Sequence, residues 1–135
     1  MQRRQRVSSG SPWELLVGYS RAIRVDDRVV VAGTAPQWPD ETVDPDPGVQ
    51  ARRCLEIIGS ALDEAGASLA DVVRTRVYLV DGADFDAVGR AHGEAFGDVR
   101  PVNTTVIVAG LLDPRWKVEI EAEAVVDPDR VGRER

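Results

Sequence analysis

Residues 116–126 alternate, with Val118, Ile120, Ala122 and Ala124 on one parity and Glu119, Glu121 and Glu123 on the other. Successive side chains of a strand point to opposite faces, so this period of two predicts a strand with one apolar and one charged side. The apolar side needs a covering layer, and a candidate lies between Asp46 and Gly66. Asp46-Pro47 is a helix start, with Asp as the N-cap and Pro at the first helical position. Ala51, Cys54, Leu55, Ile58, Ala61, Leu62 and Ala65 then recur at helical spacing, opposite Arg52, Arg53, Glu56, Asp63 and Glu64. Gly66 is a natural terminator.

The remaining segments complete a pattern. Residues 15–35 read as strand, broken by a tight hairpin turn at Val25-Asp26-Asp27-Arg28, and the apolar run 29–32 suits a strand buried on both faces. Residues 36–48 hold four prolines and four acidic residues and read as a loop. Residues 72–80 are rich in β-branched side chains and predict a strand. A second helix is predicted over 84–96, with Phe85, Val88, His92 and Ala95 or Phe96 inward. Residues 104–109 predict a strand, and Leu112-Asp113-Pro114-Arg115 turns the chain. The order β-β-α-β-α-β-β predicts an α+β domain, a mixed sheet with two helices on one face. Its other face would carry exposed aliphatic and aromatic groups in a monomer, so a self-associating surface is expected. We read residues 11–127 as a single domain, residues 1–10 as a flexible polar segment and residues 128–135 as a polar tail.

Composition narrows the function classes. At 135 residues the chain suits one well-formed core. No apolar run approaches the roughly 20 residues that span a bilayer. The basic start leads into Ser-Ser-Gly-Ser-Pro, unlike a secretory signal. The single Cys54 excludes an internal disulfide and fits a reducing cytoplasm. A net charge of -6 argues against nucleic acid as partner, because such binding rests on neutralising phosphates. No metal-ligand spacing, phosphate loop or nucleophile elbow occurs. His92 reads as a packed core histidine and Cys54 as a small hydrophobe.

Five blocks carry a family resemblance: Ser-Pro-Trp-Glu (11–14), Gly-Tyr-Ser-Arg-Ala (18–22), Val-Ala-Gly-Thr-Ala-Pro (31–36), Asp-Val-Val-Arg-Thr-Arg-Val-Tyr-Leu (71–79) and Val-Glu-Ile-Glu-Ala (118–122). With the stretch RPVNTTVIVAGLLDPRWKVEIEAEA (100–124), they resemble the Rid family of reactive intermediate deaminases, also called the YjgF family. The resemblance implies a chorismate-mutase-like fold assembled as a homotrimer, with sheets around a central axis and a small-molecule cleft at each subunit interface. It implies a hydrolase without metal or organic cofactor. Deaminase members of the family turn reactive enamines and imines into 2-keto acids and ammonia.

Carried over residue by residue, the resemblance matches Tyr19 to a cleft tyrosine, Gly33 to a glycine passing under the ligand, and Glu119 to a carboxylate orienting water. Asn103 stands where the deaminase branch has the arginine that grips the substrate carboxylate. Arginine holds such a group through two parallel hydrogen bonds, and asparagine offers no charge. Losing one side of a desolvated charge pair costs about 2–5 kcal/mol, roughly 30- to several-thousand-fold in affinity. Arg100 is one replacement, its backbone about 10 Å from Asn103 along an extended chain. Arg21 is the other, sharing a strand face with Tyr19.

The residues themselves leave other roles open. Tyr19 is either a ligand contact or a half-buried packing group, and Gly33 marks either a close approach or a bulge. Thr34 is a weaker candidate contact. Glu119 is either a general base with a raised pKa or part of a solvated face. Three like charges on that face predict an opposing cation among Arg74, Arg76 and Arg115. Three functional readings follow: a Rid-type binder or enzyme outside the arginine-dependent branch, an imine deaminase with its anchor moved to Arg100 or Arg21, and a non-catalytic protein-interaction or holdase role.

Overall fold

The computed structural model describes residues 4–128. Its elements run β1 (Arg4–Val7), α1 (Pro12–Val17), β2 (Ala22–Val25), β3 (Arg28–Thr34), α2 (Pro47–Glu64), β4 (Val72–Leu79), α3 (Phe85–Phe96), β5 (Val102–Ile107) and β6 (Val118–Val125). Short 3₁₀ turns at Leu69–Asp71 and Gly82–Asp84 precede β4 and α3. One six-stranded sheet has the order β1-β2-β3-β6-β4-β5. All pairs are antiparallel except β4 with β5, so the sheet is mixed and the architecture α+β.

The alternating segment becomes β6, inside the sheet between β3 and β4. Val118, Ile120, Ala122 and Ala124 are buried under the helices, and the three glutamates lie on the opposite face. α2 forms as its sequence predicts. The Asp46 carboxylate accepts from the Gly48 and Val49 amides at 2.8 and 3.0 Å. At the other end Gly66 has φ +80°, and the Gly66 and Ala67 amides return to the Asp63 and Leu62 carbonyls. The stripe from Ala51 to Ala65 is buried throughout. Burial of a side chain such as Ile58 or Leu62 contributes about 1.5–3 kcal/mol. Gln50, also buried, accepts from Lys117 N–H and donates to the Asp44 and Arg115 carbonyls, tying the proline-rich loop and the start of β6 to α2.

The structure departs from the sequence reading in several places. Residues 12–17 are helical, because Ser11 caps the helix, Pro12 takes the first position and Glu14 the third. The segment read as flexible contains β1, whose backbone pairs with β2 from Arg4↔Val25 to Val7↔Ala22. Edge pairing satisfies main-chain groups without apolar side chains, and only Val7 of the four is buried. Of the tail, residues 129–135 lie outside the described residues. β3 alternates instead of being buried on both sides: Val29 and Val31 are covered, whereas Val30 is 46% exposed, since α2 and α3 cover only the other face. β5 begins at Val102, two residues before the expected start. In α3, Val88, Ala91 and Phe96 face the core and Phe85 is exposed. Among the described residues no helix is long and apolar enough to cross a membrane.

Candidate functional site

Cross-strand partners share a face of the sheet, so the pairing assigns each candidate to a side. Glu119 pairs with Tyr78, away from the helices; Thr75, which pairs with Ala122 and Asn103, is turned toward them. On the side away from α2 and α3, Gly33 lies at an irregularity between Val31 and Thr34, the bulge left open by the sequence. A Cβ at Gly33 would stand 2.6 Å from Glu119 Oε2, so any other residue there would push the end of that carboxylate aside.

Arg21 precedes β2 and is held at the backbone by both neighbouring strands: its N–H donates to Val7 O, and its carbonyl accepts from Ala32 N–H. Its Nη2 donates to the Gly33 carbonyl at 2.5 Å, while Nε is buried with no hydrogen-bond partner. Arg21 is electrostatically coupled to Tyr19, Glu14 and Glu119. Burial lowers the Arg21 pKa; burial also raises that of Glu119, with Arg21 pulling it back and Glu121 adding to the rise.

The other two glutamates of β6 are neutralised differently. Glu121 accepts from the Tyr78 hydroxyl and lies 3.8 Å from Arg76, and Glu123 lies 3.6 Å from Arg28. Arg76 is thus one of the opposing cations that the sequence implied. Arg115 instead holds Asp113 at 2.7 Å, and the Arg28 pairing had no sequence signal.

Tyr19 is not on a strand. It follows α1, its amide donates to Glu14 O, and it lines an open groove of about 840 Å³ with Arg6, Glu14, Ile23, Val30 and Ala32. Glu14 is the residue that sequence reasoning missed. The residue is 6% exposed, and its carboxylate accepts from the Ser9 amide and hydroxyl and is coupled to Arg21. Desolvation would raise its pKa, but the Ser9 hydrogen bonds and the Arg21 charge outweigh that and lower it. The signal was present: Ser11-Pro12-Trp13-Glu14 is a helix start with an acid at its third position.

Thr34 is fully buried on the side of α2 and α3, and its hydroxyl donates to Ala32 O. Asn103 also stands apart. It lies on the edge strand β5, separated from β6 by β4 and turned to the opposite face from Glu119. Its Nδ2 donates to Thr75 Oγ1 at 3.0 Å, and its Oδ1 accepts from Thr105 Oγ1 at 2.8 Å. Arg100 is exposed in the preceding loop with φ +50°. The structure therefore gathers Tyr19, Arg21, Gly33 and Glu119, and leaves Asn103, Arg100 and Thr34 outside that cluster.

His92 is half-buried, 2.8 Å from Thr75 Oγ1, with its ring centroid 4.6 Å from that of Phe96; burial lowers its pKa. Cys54 is fully buried, and burial pushes its thiol pKa up, so it is a packing group with little thiolate. Among the described residues no group of three or more His, Cys, Asp or Glu side chains is placed to hold a metal ion.

Residues 12–126 match the family described as endoribonuclease L-PSP. A solved Mycobacterium tuberculosis structure, described as a member of the YjgF/YER057c/UK114 family, superposes with a TM-score of 0.86. It is 48% identical, and the match covers 92% of this chain and 100% of that one. An uncharacterised protein of Streptomyces coelicolor is 45% identical over 121 residues, 89% of this chain and 90% of the relative. A protein of Acinetobacter baylyi named 3-aminoacrylate deaminase RutC is 36% identical over 115 residues, covering 82% of this chain and 89% of its own length. A family match across nearly all of the sheet and both long helices, with relatives this similar over most of their length, leads to one conclusion: the chain belongs to the YjgF/RutC/Rid family.

Proposed function

We propose that this protein binds a small metabolite in clefts between the subunits of a homotrimer, outside the arginine-dependent imino-acid deaminase branch. Tyr19, Arg21, Gly33 and Glu119 form the part of the cleft supplied by one protomer, and the β5 edge of a neighbouring copy brings Asn103 to it. The observation that carries this reading is the pairing of a charge-compensated cluster with an uncharged edge residue. Arg21 is already bound to the Gly33 carbonyl and flanked by Glu14 and Glu119, and Asn103 is tied to Thr75 and Thr105. Neither presents an uncompensated cation to a substrate carboxylate, so the ligand is neutral or is held at another end. Glu119, with its pKa raised by burial, is suited to take a proton from a bound water if the protein is catalytic. A cytoplasmic location accompanies this reading, as the lone thiol Cys54 suggests.

A second reading has its own support. Arg21 is partly buried beside Glu119 and keeps an unpartnered Nε. Closure of a cleft over it would let it grip a carboxylate, as in an imine deaminase of the kind that the Acinetobacter baylyi relative is named for. Arg100 has no comparable placement.

One assay separates them. Ammonia and keto-acid release from freshly generated 2-iminopropionate is followed for the native protein and for Asn103→Arg. We expect an inactive native protein and a variant that gains measurable turnover. Turnover by the native protein that disappears in Arg21→Ala would establish the second reading in place of the first.

A further inference from the structure

Asn103 is the only asparagine and His92 the only histidine of the chain. The structure links them through Thr75, and the link runs from the outer edge of the sheet into the helix layer. Asn103 Nδ2 lies 3.0 Å from Thr75 Oγ1, and Thr75 Oγ1 lies 2.8 Å from His92 Nε2. Thr75 is fully buried at the middle of this chain of contacts. On the outer side, the Thr105 hydroxyl donates to Asn103 Oδ1 at 2.8 Å.

We propose that Thr75 and His92 are positioning residues that set which way the Asn103 amide faces, and hence which hydrogen-bonding groups β5 offers a ligand. The inference rests on the reading of Asn103 as a cleft residue only for its consequence for specificity. The two ends of a carboxamide are nearly alike in shape, so its partners decide its orientation.

A hydroxyl gives one hydrogen. Thr75 Oγ1 accepts from Asn103, and when the ring is neutral with its proton on Nδ1, the tautomer that the proposal assigns, the Thr75 hydrogen goes to His92 Nε2. The donors then run in one direction, Asn103 to Thr75 to His92. Asn103 keeps one N–H and one lone pair for solvent or ligand. A second proton on His92 turns Nε2 into a donor. The Thr75 hydrogen then needs another acceptor, and within this chain of contacts Asn103 supplies it by turning Oδ1 toward Thr75. The edge of β5 would then present its donor and acceptor in reversed positions.

The surroundings of the ring favour the neutral form. Burial is the one cause of its lowered pKa, and no charged side chain among the described residues contributes to it. Several of the charges on the elements packed around it are engaged with other partners. Arg52 pairs with Glu94 between α2 and α3, and Asp86 with Arg90 along α3, all well exposed. Asp71 accepts from the Ser68 amide, and Asp81 from the Ala83 amide.

The test needs no ligand. In protein labelled with ¹⁵N at asparagine, Asn103 contributes a single side-chain NH₂ pair, and the imidazole of His92 is observed separately. We expect the Asn103 pair to shift with the same midpoint as His92 as pH is lowered. In Thr75→Val the pair should stay still while His92 goes on titrating, and Thr75→Ser should restore the coupling. His92→Gln, at a half-buried position, should also leave the pair unresponsive. An Asn103 pair that ignores His92 in the native protein would overturn the proposal, as would one that follows it unchanged in Thr75→Val. Failure of the imine assay to sort the two functional readings would leave this result standing, and the reverse holds equally.

Discussion

Glu119 is the residue on which the local electrostatics turn. Burial raises its pKa, and Arg21 offsets that only in part. The folded chain therefore holds this proton more tightly than the unfolded chain does, so the contribution of Glu119 to stability improves as pH falls through the raised value and worsens as pH rises through it. Glu119→Gln keeps the shape and removes the ionisation. The variant should melt modestly above the native protein at neutral pH, and the gap should close in mild acid. Thermal melts across that range test this; a variant that melts lower at neutral pH would mean that Arg21 needs the carboxylate more than burial penalises it. Legibility in the sequence was uneven at this scale. Glu119 stood out through its motif, but its alternation with Glu121 and Glu123 hid which of the three is special. Only the placement of Arg76 and Arg28 opposite the other two, and of Arg21 near the first, separates them.

At the scale of elements, the capping chemistry decided what was readable. α2 carries its start, its stripe and its stop in adjacent residues, and each formed as read. Asp46 holds two amide groups that would otherwise lack partners. Asp46→Ala should cost about 1 kcal/mol, a fall in Tm of about 4 °C, with no change in oligomeric mass. A calorimetric scan checks this, and an unchanged Tm would show that the cap is redundant beside the Gln50 contacts. α1 was missed because apolar residues 15–17 look strand-like over so short a window, and six residues cannot display a helical period. The signal lay in Ser11-Pro12 and Glu14, which are end signals rather than periodic ones. β1 was missed for the opposite reason: edge strands pair through backbone and need no pattern in their side chains.

For the whole molecule, the uncovered side of the sheet is the dominant fact. Val30 stands open on it, beside Ile23 and Ala32 in the groove that Tyr19 also lines, and α1 adds Leu15, almost fully exposed. Apolar groups gathered in this way on one side are costly to leave in water, and a second copy is their natural cover. We expect the native protein to sediment at three chain masses, and Val30→Arg to reduce that mass and weaken any binding in the cleft together. Equilibrium sedimentation measures the first. A native monomer would remove the basis for a cleft shared between subunits, and with it the role proposed for Asn103.

What the sequence determined by itself was whatever depends on near neighbours in the chain: the period of β6, the stripe and ends of α2, the hairpin at Asp26-Asp27, and through them an α+β sheet with helices on one side. What only the tertiary structure decided depends on which strands lie side by side. Glu119 and Asn103 belong to the same family stretch, yet β6 lies one strand inward from β4 and β5 one strand outward, and their side chains leave by opposite faces. Thr75 and His92 meet Asn103 for the same reason, across contacts 28 and 17 residues apart in sequence. A one-residue change in parity turns a strand side chain to the other face of the sheet, and no local pattern carries that information across strands.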